Sequence, residues 1–143
     1  MSDSEQDVLF YVLASSDELS RDRFITKLVN KINSEQRQAD ICLSSAEDCV
    51  RLDQAIWQYK PQSFIAHSIT KQEQAPVQLW DKKILEPNFD VLLNLHTEFP
   101  TNFNQYRRTI EVLDQSVELI EMARSRWKLY KSKGIVPTLH KIG

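Results

Sequence analysis

Cations and one large aromatic side chain recur at helical spacing in residues 116–133, S-V-E-L-I-E-M-A-R-S-R-W-K-L-Y-K-S-K. At about 3.6 residues per turn, Arg124, Trp127 and Lys128 fall on one stripe of a helix. A guanidinium can bind a carboxylate with two hydrogen bonds, and an indole beside it supplies apolar contact area. No Asp or Glu follows Glu121 in the chain, so nothing local neutralises the stripe. The pattern predicts a surface that binds an acidic partner.

The helix that must position these side chains carries its own start and end signals. Ser116 is expected to cap its N-terminus, Glu118 suits the positive end of the helix dipole, and Gly134 is expected to end it. One stripe is expected in the core (Leu119, Met122, Ala123, Arg126, Tyr130) and a neighbouring one at the surface (Val117, Ile120, Arg124, Trp127, Lys128, Lys131). The alternative is that the cations only interact with the negative end of the helix dipole and keep the protein soluble.

Charge is distributed unevenly along the chain. Residues 1–100 hold ten Lys and Arg against sixteen Asp and Glu, a net charge of −6, whereas residues 101–143 hold eight against four, a net charge of +4. General nucleic-acid binding usually needs a broad basic field. The local basic region therefore favours an acidic protein partner, and direct binding of nucleic acid through the basic helix is kept as an alternative.

Few residues indicate catalysis. His96 follows an apolar strand pattern, where α/β proteins often keep active residues, and Glu98 is close in sequence. No nucleophile or base motif accompanies them, so a small α/β enzyme with its site near His96 and Glu98 is only an alternative. Ser44 and Ser45 precede a helix without a G-x-S-x-G elbow, and capping explains them. We predict no catalytic residue.

Cofactor and metal sites are not indicated either. Gly134 and Gly143 are the only glycines, which excludes the G-x-G-x-x-G turn and the P-loop. Cys42 and Cys49 do not form a C-x-x-C pair, and both lie in apolar patterns, so we expect reduced, buried thiols. No two histidines stand at ligand-pair spacing: they are His67, His96 and His140. We predict neither a cofactor nor a metal.

Length and composition are typical of one compact domain. The 143 residues are 41% hydrophobic and 27% charged, and we expect a single domain over residues 1–143. No apolar run approaches the roughly 20 residues that cross a bilayer. The acidic start, M-S-D-S-E-Q-D, lacks the basic residues of an export signal. We therefore expect a cytoplasmic protein without membrane contact.

Strand and helix patterns alternate along the chain. Apolar runs predict strands at residues 8–13, 39–43, 63–67, 77–80, 89–95 and 110–113. Besides the helix after Ser116, one helix is expected from a cap at Ser16 or Asp17 to about Asn33, and another from Ser45 to Pro61. This rhythm implies parallel pairing with right-handed crossovers. The predicted fold is α/β, a three-layer domain with a mostly parallel central sheet flanked by helices.

Trp57 and Phe64 form a second candidate surface. Trp57 ends a predicted helix and Phe64 opens the next segment across Pro61, so the two rings could project side by side. An exposed Trp beside a Phe is typical of an interface anchor, and a buried core Trp is the alternative.

These residues also carry a family resemblance. Residues 51–57 (R-L-D-Q-A-I-W), 61–67 (P-Q-S-F-I-A-H) and 123–131 (A-R-S-R-W-K-L-Y-K) together resemble the chi subunit of bacterial DNA polymerase III holoenzyme. The strand patterns F-Y-V-L at 10–13 and F-D-V-L-L-N-L at 89–95 also fit, so the resemblance covers nearly the whole chain. It implies a fold like that of nucleotide-binding domains without a phosphate loop.

The resemblance implies a non-catalytic accessory subunit of the clamp-loader assembly. Such a subunit pairs with the psi subunit and binds the acidic C-terminal tail of single-stranded DNA-binding protein, so that DNA is contacted only indirectly. Arg124 would hold the terminal carboxylate of the tail beside Trp127 and Lys128, and Leu113 would line the pocket for its terminal aromatic ring. Trp57 and Phe64 would face psi, on a surface that a helicase can share.

The chain departs from the family pattern in three places. Ile120 stands where the family can carry a lysine, one turn before the key arginine, and Trp127 stands where tyrosine also occurs. A cation fewer weakens the electrostatic attraction and leaves the mode of binding unchanged. Residues 68–76 are unlike other members, and no shared role is expected for them.

Overall fold

The computed structural model describes residues 6–58, 67–68 and 75–142. The strands are β1 Asp7–Leu13, β2 Ala39–Leu43, β3 His67–Ser68, β4 Val77–Asp81, β5 Val91–Asn94, β6 Arg108–Leu113 and β7 Thr138–Ile142. The helices are α1 Glu18–Ser34, α2 Ala46–Gln58 and α3 Val117–Ser132, with a short 3₁₀ helix at Phe103–Gln105.

The seven strands form one sheet in the order β3-β4-β2-β5-β6-β1-β7. Every neighbouring pair is parallel. Residues of β2 and β5 are buried throughout, as expected for inner strands of a parallel sheet covered on both faces. The predicted α/β fold with a mostly parallel central sheet is confirmed.

Helices cover both faces of the sheet. Alternate side chains of β1 point to opposite faces, because the side-chain period of a strand is two. Leu9 and Leu13 pack with α1 and α2, whereas Val8 and Phe10 pack with Tyr130 of α3. The three-layer arrangement is therefore confirmed.

The start signals of two helices are confirmed. Asp17 caps α1, and its carboxylate accepts the Ser20 backbone N–H at 2.9 Å. The Ser45 hydroxyl accepts the Asp48 backbone N–H at 3.1 Å at the start of α2. The expected end of α2 at Pro61 lies outside the described residues, as do the candidate residue Phe64 and most of the predicted strand at 63–67.

The expected strand pattern needs three corrections. The strand predicted at 89–95 runs only from Val91 to Asn94, because Phe89 adopts a φ of 65° in a turn that precedes it. That turn is held by Asn88 Oδ1, which accepts the Asp90 backbone N–H at 2.9 Å. Ser68, expected in a loop, pairs with Gln78 as part of β3. The third correction is β7, which was not predicted at all.

Candidate functional site

Helix α3 begins and ends where expected, but Ser116 does not cap it with its side chain. Ser116 occupies the N-cap position without a side-chain capping bond. Its hydroxyl and backbone N–H instead donate to Asp114 Oδ1, at 2.6 and 2.9 Å. Gly134 follows the helix with a φ of 92°, a conformation that glycine adopts without steric cost, so the predicted stop is confirmed.

The inner face of α3 is anchored to the sheet by a buried ionic cluster. Arg126 Nη1 donates to Glu111 Oε1 at 2.7 Å, and the Tyr130 hydroxyl donates to Glu111 Oε2 at 2.7 Å. Asn94 also donates to Glu111 Oε2, at 3.2 Å. Complete burial raises the pKa of the Glu111 carboxyl, and these three donors oppose that rise. The cluster fixes the position of α3 across β6.

Aromatic contacts hold Trp127 against the sheet. Its ring lies edge-on to Phe10 of β1, with 5.2 Å between the ring centroids. Phe10 also contacts Tyr130, at 5.9 Å. Trp127 is half-buried by these contacts and still lines an open groove beside them. Its position is therefore fixed before any partner binds.

A groove of about 350 Å³ runs between α3 and the β1–β7 edge of the sheet. We call it the α3–β7 groove. Apart from Arg124 and Lys128, its lining is apolar. The lining residues are Phe10, Val12, Leu113, Ile120, Ala123, Arg124, Trp127, Lys128 and Leu139. All four residues predicted for the acidic-partner surface, including Leu113, line this one groove.

Arg124 and Lys128 are both exposed at the edge of the α3–β7 groove. Among the residues that the structure describes, no carboxylate forms an ion pair with either of them. An apolar groove with two such cations can hold an apolar side chain and a carboxylate of the same ligand. Such a ligand is chemically an amphipathic acid, for example the C-terminal residue of a peptide.

The α3–β7 groove draws on residues that the sequence pattern of α3 did not reveal. Phe10 and Val12 come from β1, far from α3 in sequence, and Leu139 comes from β7, which follows α3. Phe10 and Val12 share a face by the two-residue period of β1, which was a usable signal for their common direction. Leu139 carried no such signal, because β7 itself was missed.

The second predicted surface is described in part. Trp57 is 60% exposed near the end of α2, so its predicted surface position is confirmed. Val50, one heptad earlier on the same face of α2, is also exposed. Phe64 lies outside the described residues, so its proximity to Trp57 stays a prediction.

His96, which follows β5, lies beside Ser44, which follows β2. Ser44 Oγ lies 3.1 Å from His96 Nδ1 and accepts the Thr97 backbone N–H at 3.2 Å. Glu98 Oε1 lies 3.9 Å from His96 Nε2. The backbone carbonyl of His96 accepts a hydrogen bond from Arg126 at 2.7 Å. These contacts join the ends of β2 and β5 to α3, which gives the cluster a structural role.

Neither metal nor membrane features occur among residues 6–58, 67–68 and 75–142. Within these ranges, no three His, Cys, Asp or Glu side chains are grouped so that they could hold a metal ion. No helix there combines the length and the apolar content needed to cross a bilayer.

The structure thus combines a parallel α/β sheet with an apolar groove that is edged by two cations. Comparison with protein families identifies a match over residues 6–138 to the family described as "DNA polymerase III chi subunit, HolC". The chain therefore belongs to the DNA polymerase III chi subunit family, which makes it a subunit of a polymerase that acts in DNA replication. The resemblance found in the sequence is confirmed.

Relatives of the chain span nearly its whole length. It is 27% identical to DNA polymerase III subunit chi of Escherichia coli strain K12, over 87% of this chain and 90% of the relative. The corresponding subunit of Pseudomonas aeruginosa is 25% identical, over 87% of this chain and 89% of the relative. That of Haemophilus influenzae is 24% identical, over 87% and 90%.

Proposed function

We propose that this chain is a non-catalytic adaptor that binds the acidic C-terminal tail of single-stranded DNA-binding protein in the α3–β7 groove. The observation that carries the proposal is the convergence of Arg124, Lys128, Trp127 and Leu113 on one largely apolar groove of about 350 Å³. Membership of the chi subunit family supports it. The adaptor would link the replication machinery to protein-coated single-stranded DNA in the cytoplasm.

Each part of the α3–β7 groove suits one part of such a tail. The terminal aromatic ring would enter the apolar part beside Leu113 and Trp127, where burial of apolar area stabilises the complex. The terminal carboxylate would accept hydrogen bonds from the Arg124 guanidinium, whose planar fork suits a carboxylate. Lys128 would attract the acidic residues that precede the terminus. This contribution decreases with salt, because exposed charges are screened.

A complex with the whole partner tests this assignment. The chain is mixed with single-stranded DNA-binding protein, either intact or lacking its last few residues, and complex formation is followed by sedimentation velocity. We expect a complex only with the intact partner. Equal association with the truncated partner would contradict the proposed use of the tail.

Trp57 supports a second contact, with the psi subunit. Its ring and the side chain of Val50 give α2 an exposed apolar stripe, which is the kind of surface that anchors a protein interface. We include psi as the partner at this surface because of family membership, with Phe64 as a further contact and with a helicase as a competitor for the same surface. The two proposed surfaces use different helices, α2 and α3.

Direct binding to DNA through the exposed cations is the alternative function. Residues 101–143 hold only eight Lys and Arg, and residues 1–100 carry a net charge of −6. We therefore expect weak binding to bare single-stranded DNA, with a shallow dependence on salt. A steep loss of affinity between low and physiological salt would favour a nucleic-acid-binding module instead.

A further inference from the structure

Strand β7 is the outermost strand of the sheet next to the α3–β7 groove. It pairs with β1, from Leu9↔Thr138 to Leu13↔Ile142. Among the described residues, no strand pairs with its other edge. Four of its five residues are exposed. Outward backbone N–H and C=O groups of such a strand can pair with an extended peptide.

The register of β7 places two of its side chains on the face that carries the groove. Leu139 is opposite Phe10 and Lys141 is opposite Val12, and both β1 residues line the α3–β7 groove. Residues in register on parallel neighbours project to the same face, so Leu139 and Lys141 share that face. Leu139 is 46% exposed and lies between the groove and the open edge.

Charge at this edge favours an acidic occupant. Lys141 is exposed on β7, in register with Val12 of the groove lining, whereas Arg124 and Lys128 lie on α3. No Asp or Glu occurs after Glu121, so β7 and the loop before it carry no negative side chain. A peptide that leaves the groove over Leu139 meets a cation and an unpaired strand edge together.

We infer that the acidic segment preceding the terminal residue of the tail pairs with β7 as an eighth strand and that Lys141 contacts its carboxylates. The inference rests on the proposed function, because it starts from a tail whose terminus lies in the α3–β7 groove. It adds a second recognition element, in which main-chain hydrogen bonds supply affinity and Lys141 supplies preference for acidic side chains. Lys141 thereby adds a third cation to those of Arg124 and Lys128.

Backbone methylation of the peptide tests the strand pairing. Two versions of an acidic peptide with a free C-terminal phenylalanine carry N-methyl groups on alternate amides of the acidic segment, and the two sets are shifted by one residue. Only one set points its amides toward β7 if the segment is a strand. That peptide should bind about tenfold more weakly, as expected for two or three lost hydrogen bonds, while the other keeps its affinity. Equal affinities of the two peptides, whether retained or lost, would overturn the inference.

Charge reversal tests the role of Lys141. Lys141→Glu should weaken binding of the unmethylated acidic peptide about fivefold or more at low salt. Lys83→Glu, which makes the same change beyond β4 on the far side of the sheet, should leave the affinity unchanged. Equal effects of the two substitutions would contradict a contact at Lys141.

A third variant separates this inference from the proposed function. If Arg124→Ala leaves peptide affinity unchanged, the tail-binding assignment itself is wrong. If Arg124→Ala abolishes binding while the two methylated peptides bind equally, the groove assignment stands and only the eighth strand is rejected.

Discussion

Arg124 and Arg126 lie two residues apart on α3 but face different surroundings. Arg126 is 5% exposed, and its guanidinium donates to the buried Glu111 carboxylate at 2.7 Å. Arg124 is exposed at the edge of the α3–β7 groove. One arginine therefore holds the helix on the sheet, and the other is available to a ligand.

This difference predicts that two alanine substitutions change the free energy of unfolding by very different amounts. Arg126→Ala should lower the free energy of unfolding by about 3–5 kcal/mol, because it leaves a buried carboxylate without its cation. Arg124→Ala should change it by less than about 0.5 kcal/mol, because that side chain is exposed. Denaturant unfolding followed by circular dichroism measures both. A similar loss for the two variants would contradict the assigned roles.

Adding a cation to the groove should strengthen tail binding. Ile120→Lys places an ammonium group one turn before Arg124, where it can attract acidic residues of the tail. Exposed ion pairs contribute about 0.2–1 kcal/mol, so we expect up to about a fivefold gain in affinity at low salt. Leu129→Lys makes the same change on an exposed position of α3 outside the groove and serves as the control. An equal gain for both lysines would indicate only general attraction.

The Trp57 surface should act independently of the α3–β7 groove. Trp57→Ala is expected to weaken association with psi at least tenfold, as for an interface anchor, with little change in folding stability. Phe64→Ala should act in the same direction. Leu85→Ala, at another exposed apolar side chain, is the matched control. Parallel titrations with psi and the acidic peptide separate the two surfaces, and equal loss of both partners would show that they are not separate.

Both cysteines should resist modification in the folded protein. They are buried and form no disulfide, and burial raises the pKa of the Cys42 thiol to about 12 and that of Cys49 to about 11. Iodoacetamide at pH 8 should therefore alkylate them only after denaturant is added. Unfolded thiols ionise near pH 8.5, whereas the folded thiols stay neutral to higher pH. Burial of the neutral thiols therefore contributes fully to the free energy of unfolding below pH 8.5, and that contribution is lost as the pH rises toward 11. Rapid alkylation without denaturant would contradict the buried positions.

The sequence predicted the parts of the fold that follow from local pattern. Largely apolar runs identified β1 and β2, and Asp17 and Ser45 marked the starts of α1 and α2 correctly. The separation of Arg124 from Arg126 also followed from helical period, because the two positions differ by about 200° around the axis.

Features that depend on distant parts of the chain were not predicted. Strand β7, T-L-H-K-I, has no apolar pattern, because its side chains are exposed at the sheet edge. It is a strand because its backbone pairs with β1. Phe89 continued an apolar run in sequence but adopts a positive φ in a turn stabilised by Asn88. The partnership of Arg126 with Glu111 needed the packing of α3 on β6, which no local pattern encodes.

One titration tests the central claim most directly. The chain is titrated with a short acidic peptide that ends in a free-carboxylate phenylalanine, and binding is followed by tryptophan fluorescence. The amidated peptide and the Arg124→Ala variant are the controls. The proposed function predicts saturable binding of the free-carboxylate peptide that is lost with either control. Equal binding of the amidated peptide, or no binding of either, would contradict carboxylate recognition in the α3–β7 groove.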